Sequence, residues 1–86
     1  MTEDQARTAI YTIVTTVADM EPSPAPQSHI MLGLQTQSII SNGLGDWYTV
    51  LDIGTRLGWW KTTSEVINLT DQGRDVAQKI EEVLAR

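Results

Sequence analysis

The chain has 86 residues, no cysteine, 41% hydrophobic residues and a formal net charge of −5, with a pI near 4.5. Those values fit one small globular domain over residues 1–86 and exclude a disulfide scaffold, thiolate chemistry and general disorder. They also count against strong nucleic-acid binding, which needs Lys and Arg to neutralise phosphate: 6 such residues stand against 11 Asp and Glu.

The acid is spread along the chain. Residues 1–26 carry −3, from Arg7 against Glu3, Asp4, Asp19 and Glu21. Residues 27–46 carry −1 from Asp46, and residues 47–70 balance Arg56 and Lys61 against Asp52 and Glu65. Residues 71–86 carry −1, from Arg74, Lys79 and Arg86 against Asp71, Asp75, Glu81 and Glu82. No apolar run approaches a membrane span. The acidic start, Met-Thr-Glu-Asp-Gln, reads as neither a secretory signal nor a transit peptide, so a cytoplasmic location is expected.

Residues 3–20 predict an amphipathic helix, with Ala6, Ala9, Ile10, Ile13, Val14 and Val17 on one face. Thr2 can cap it, and Glu3 and Asp4 suit its first turn. Thr12, Thr15 and Thr16 lower its intrinsic propensity, so it relies on tertiary packing. Tyr11 lies off the stripe's centre and is expected to be partly exposed, and with its flank it offers a second surface for dimerisation. Residues 21–27 hold three prolines and read as a stiff connector rather than a proline-rich ligand, with Pro26 suited to an early helical position.

A second helix is expected from Ser28 to about Thr36. Ile30, Met31, Leu32 and Leu34 make it apolar nearly all round, which implies deep burial. Gly33 suggests a close helix–helix approach. Residues 38–41 fit either a short strand or a continuation of the second helix that ends at Asn42-Gly43, a good turn or C-cap signal. Asp46 can cap a third helix over residues 47–57. Its inner stripe is Trp47, Val50, Leu51, Gly54 and Leu57, with Ile53 beside it; Tyr48, Thr49, Asp52, Thr55 and Arg56 face outward.

Gly58 sits where a helix end favours a left-handed residue. Trp59 and Trp60 are strong strand formers. Thr62, Thr63 and Ser64 form a polar tip, and Val66, Ile67 and Leu69 make a second strand. Thr70 is an N-cap, with Asp71 at the positive end of a last helix over residues 71–85. That helix places Val76, Ala77, Ile80, Val83 and Leu84 on one side.

The fold class expected is therefore α+β and mostly helical: three helices, a two-stranded hairpin and a C-terminal helix. Residues 57–74, about a fifth of the chain, run Leu-Gly-aromatic, hairpin, Leu-Thr-x-x-Gly-Arg. This stretch resembles the wing and following helix of winged-helix domains of the small bacterial and archaeal transcription-regulator type. The segment 37–45 departs from that pattern, being longer than the usual turn before a recognition helix.

No residue pattern announces catalysis. His29, the lone histidine, has no second histidine or cysteine to complete a zinc site, and no positioned partner for acid–base work. Glu81–Glu82 and Asp71–Asp75 read as solvated helix faces. Ser28, Ser38 and Ser41 lack a nucleophile elbow, and Gly43-Leu-Gly45 lacks a phosphate-loop setting. A non-enzyme without cofactor or metal is expected.

Two functional readings remain. The resemblance implies DNA binding, with the outward face of the third helix in the groove and the wing on the backbone; Tyr48, Thr49, Arg56 and Lys61 are the residues concerned. The charge balance favours a protein–protein or dimerisation module instead. Adjacent strand residues point to opposite faces, so one of Trp59 and Trp60 enters the core and the other faces outward. An outward tryptophan either covers the hairpin or anchors a partner. Val76, Ile80, Val83 and Leu84 are the expected homodimer stripe, because a small domain gains from further burial and two-fold pairs are the commonest oligomers.

Overall fold

The structure is a computed structural model that describes residues 1–41, 43–63 and 65–85. The expectations placed on Asn42 (turn), Ser64 (tip) and Arg86 (charge) lie outside the described residues. The element order is α1 (Glu3–Met20), β1 (Ala25–Pro26), α2 (Gln27–Thr36), α3 (Leu44–Leu57), β2 (Trp60–Thr62), β3 (Val66–Leu69) and α4 (Asp71–Leu84). The chain is α+β and mostly helical, as its patterning implies.

α1 spans the expected residues and opens on a capping box. The Thr2 hydroxyl accepts from the Gln5 N–H at 3.1 Å, and the Gln5 side chain accepts from the Thr2 N–H at 2.9 Å. Its stripe of Ala9, Ile10, Ile13, Val14 and Val17 is buried. Trp60, Leu34, Val50 and Ile67 complete the centre of the core.

The sheet has three antiparallel strands in the order β1-β3-β2, not the two of a simple hairpin. Trp60 pairs with Leu69, and Ala25 with Ile67. The third strand comes from the proline connector, where Pro26 pairs with Val66 instead of entering a helix. A proline is admissible there because β1 is an edge with one side free of ladder bonds. Gln27 then ties the connector to the hairpin: its N–H donates to the Glu65 carbonyl at 2.7 Å, and its side-chain amide to the Thr63 carbonyl at 3.1 Å.

α2 corrects two expectations. Only Ile30 and Leu34 are buried, while Leu32 is 60% exposed, so the helix packs on one side only. A Cβ at Gly33 would meet nothing within 4 Å, so no close helix approach occurs there. The next segment is neither strand nor helix. α2 stops at Thr36, Ser38 takes a left-handed φ of 58°, and Ile40 is buried.

α3 begins at Leu44, ahead of the expected start, with Gly43 rather than Asp46 at its N-cap. Asp46 lies in the first turn, where its carboxylate accepts from the Ser41 N–H at 3.2 Å. Trp47, Val50, Leu51 and Gly54 face inward as the stripe predicts, but Leu57 is 45% exposed because the helix end overhangs the core. Gly58 closes the helix at φ 79°: the Trp59 N–H returns to the Gly54 carbonyl and the Gly58 N–H to the Thr55 carbonyl, both at 3.1 Å.

A candidate interaction surface

The stretch from Trp59 to Arg74 is held by backbone contacts around one point. Trp60 enters the core and its indole N–H donates to the Leu51 carbonyl at 3.2 Å. Trp59, one residue earlier, points the other way and is half-buried. The Trp59 carbonyl accepts from the Thr70 N–H at 3.1 Å. The Thr70 hydroxyl donates to the Gly58 carbonyl and accepts from the Gly73 N–H. A Cβ on Gly73 would collide with the Trp59 carbonyl. Arg74 reaches back to Glu21 at the end of α1, with nitrogen–oxygen distances of 3.0 to 3.1 Å. The Leu-Thr-x-x-Gly-Arg run is therefore architectural: each of its four defined residues packs, caps or bridges.

This architecture sets Trp59 against Tyr11 of α1. The two rings stack with centroids 6.2 Å apart and planes 15° from parallel. The pair forms a ridge between two grooves. One, of about 440 Å³, runs along α4 and is lined by Val76, Lys79, Ile80, Val83 and Leu84. The other, of about 420 Å³, lies between α1 and the end of α3, with Ala6, Ile10, Ile53 and Leu57 on its walls and Glu3 and Arg7 at its rim. Val83 and Leu84 are 65% and 79% exposed, so the last turn of α4 extends past the core. Lys79 lies 3.2 Å from Asp75, and Arg7 3.5 Å from Glu3, all on the surface.

Of the residues singled out by sequence, Trp59, Val76, Ile80, Val83 and Leu84 come together on this face, while Trp60 does not reach the surface. Tyr48, Thr49 and Arg56 are exposed on the outer side of α3, and Lys61 is exposed on β2. The Arg56 guanidinium is 3.0 Å from Asp52 one turn away, which offsets its charge. Exposed Leu44 lies four residues before Tyr48, so the start of that outer face is apolar.

Sequence reasoning offered Tyr11 and its flank as a second surface but not its stacking partner, and it missed Ile53 and Leu57 as walls of the second groove. Tyr11 is one residue off the α1 stripe, and its partner is 48 positions away. Ile53 and Leu57 belong to the α3 stripe, and nothing local signals that the helix overhangs the core. At the α1–α4 contact, a hydrogen bond with Asp19, then the Asp19 charge, then desolvation, hold the Glu81 carboxyl above the usual carboxylate range. Among the described residues, no three or more His, Asp and Glu side chains converge to hold a metal, and no helix is long and apolar enough to cross a membrane.

Comparison of the chain with protein-family models, with curated proteins and with solved structures finds no match.

Proposed function

We propose that this chain is a small, non-enzymatic, cytoplasmic interaction module on a winged-helix plan, and that it works by protein–protein contact at the face built from Tyr11, Trp59 and α4. The observation that carries the reading is the stacked ridge flanked by two apolar grooves. Exposed apolar side chains grouped beside an aromatic ridge and rimmed by Glu3, Arg7 and Lys79 suit a protein interface. An aromatic ring in a partly desolvated setting is the commonest anchor in one.

The second reading is a DNA-binding transcriptional regulator that uses α3 and the hairpin. The exposure of Tyr48, Thr49, Arg56 and Lys61 favours it. Its electrostatics are poor: Asp52 sits beside Arg56, and Glu65 is exposed near the hairpin tip. Each phosphate contact needs a cation to release a counterion.

Two measurements on the full chain decide between the readings. A duplex titration at physiological salt is expected to give no sub-micromolar binding. The immobilised protein is expected to retain a protein ligand, its own copy included, that the Trp59→Lys variant loses while its circular dichroism spectrum is unchanged. Sub-micromolar duplex binding that survives Trp59→Lys would overturn the interaction reading in favour of DNA.

A further inference from the structure

We propose that a cavity at the open end of the β1–β3 pairing binds one extended, uncharged residue of a peptide, through the main-chain N–H and carbonyl of Leu69. The cavity, of about 280 Å³, shares no lining residue with the two grooves beside Trp59. It is a second site and does not depend on that face.

The register of the sheet leaves the two groups open. Facing residues of an antiparallel pair alternate between those that exchange hydrogen bonds and those that do not. Thr63 and Val66 exchange bonds at one end of the hairpin, and the Thr70 N–H donates to the Trp59 carbonyl at the other. Trp60 and Leu69, which face each other between them, are therefore a non-bonded pair. The Leu69 N–H and carbonyl point away from β2, to the β1 side. There β1 covers only Val66 and Ile67, opposite Pro26 and Ala25. The residue due opposite Leu69 is Ser23, but its N–H turns back to the Met20 carbonyl at 2.8 Å. Among the described residues, no hydrogen bond joins the connector to Leu69. The ladder stops one bonded pair short, on a residue that lines the cavity and is only 6% exposed. Buried main-chain groups are nearly always bonded, so this donor and acceptor call for an occupant.

Charge selects the class of that occupant. Glu21 and Arg74 also line the cavity, and they are bound to each other with nitrogen–oxygen distances of 3.0 to 3.1 Å. Arg74 lies 3.1 Å from Asp71 as well. A charged ligand meets countercharges that are already satisfied, whereas the Leu69 groups are neutral. Their match is the C=O and N–H of one peptide residue, placed where β1 would continue. Strand addition of this kind takes its affinity from main-chain bonds and its selectivity from the walls. Here the buried Val17, Ala25 and Ile67 make the walls apolar, and Pro22 and Pro24 stand at the exposed rim. The volume lies just below the range of about 300–1,000 Å³ usual for small-molecule sites. It suits a single apolar residue with its flanking peptide groups, not a large cofactor.

Nuclear magnetic resonance of the isotopically labelled full chain, titrated with N-acetylvaline methylamide, tests this. The Leu69 amide resonance is expected to move downfield and saturate. The ester analogue, with oxygen in place of the valine N–H, should bind at least several-fold more weakly, because the Leu69 carbonyl loses its donor. Ser23→Phe, which fills the cavity from its exposed rim, should abolish the response while resonances elsewhere stay in place. Trp59→Lys should leave the response unchanged. A Leu69 resonance unmoved up to the solubility limit of the probe would show a cavity that holds water only, and would overturn the proposal. An ester that binds as tightly as the amide, a Ser23→Phe variant that binds normally, or a response lost in Trp59→Lys would overturn it too. A stronger response to acetate than to the capped valine would replace the peptide site by an anion site at Arg74.

Discussion

Gly54 and Trp60 share one site in the core. A Cβ on Gly54 would fall within the Trp60 ring, and the ring cannot withdraw because its N–H is bound to Leu51 on the same helix. Gly73 is held in the same way by the Trp59 carbonyl, which is backbone and less able to move. Overpacking of this kind costs about 1–3 kcal/mol, and more where nothing relaxes. Gly54→Ala and Gly73→Ala are therefore each expected to destabilise by at least that range in urea unfolding, with Gly33→Ala as a neutral or stabilising control because its site is open. A Gly73→Ala loss below ~0.5 kcal/mol would show that the close approach is not needed. Helical spacing in the sequence put Gly54 on the inner face but carried no sign of why a glycine stands there. The reason is a ring six positions on, which only the Gly58 turn brings back.

At the scale of elements, the contact between α1 and α4 contains a carboxyl pair, Asp19 with Glu81. The folded state raises the Glu81 pKa, so it holds that proton more tightly than the unfolded chain does. Stability from this pair is therefore present at low pH and lost as pH rises from the ordinary carboxylate value through the raised one. Above it both groups are charged and repel. Glu81→Gln is expected to raise the Tm at neutral pH, with the difference from wild type shrinking to nothing in acid. A Tm difference independent of pH would refute the pair. The helices themselves were legible from stripe and cap: α1, α4 and the inner face of α3 fall where periodicity puts them. β1 was not, because two residues have no period. Ala25 and Pro26 become a strand only through bonds to a segment about 40 positions away, and no local signal encodes that pairing. The start of α3 was missed because Asp46 has the right chemistry for an N-cap and spends it instead on the Ser41 N–H.

For the whole molecule, the pattern of charge and exposure separates two surfaces. The outer side of α3 carries an internal ion pair and an apolar start, whereas the Tyr11–Trp59 face carries the exposed Leu57 at the end of α3 and Val83 and Leu84 at the end of α4. The half of the candidate site that lies on α4 was readable because Val76, Ile80, Val83 and Leu84 repeat at helical spacing. The half on α1 and α3 was readable only at Tyr11, which lies off the α1 stripe; Ile53 and Leu57 acquire their role from the way three helices meet.

The opposed directions of Trp59 and Trp60 also give the protein an optical consequence. It has three tryptophans, and Trp47 and Trp60 are 2% and 1% exposed. Emission reachable by a neutral quencher such as acrylamide thus comes from Trp59 alone, the ring on the ridge. The quenchable fraction is a native reporter of whether that face is covered. It should fall as the protein is concentrated and return on dilution, while the red-shifted shoulder from the same ring fades in parallel. A quenchable fraction that stays constant across the concentration range would show that the ridge faces water at every concentration.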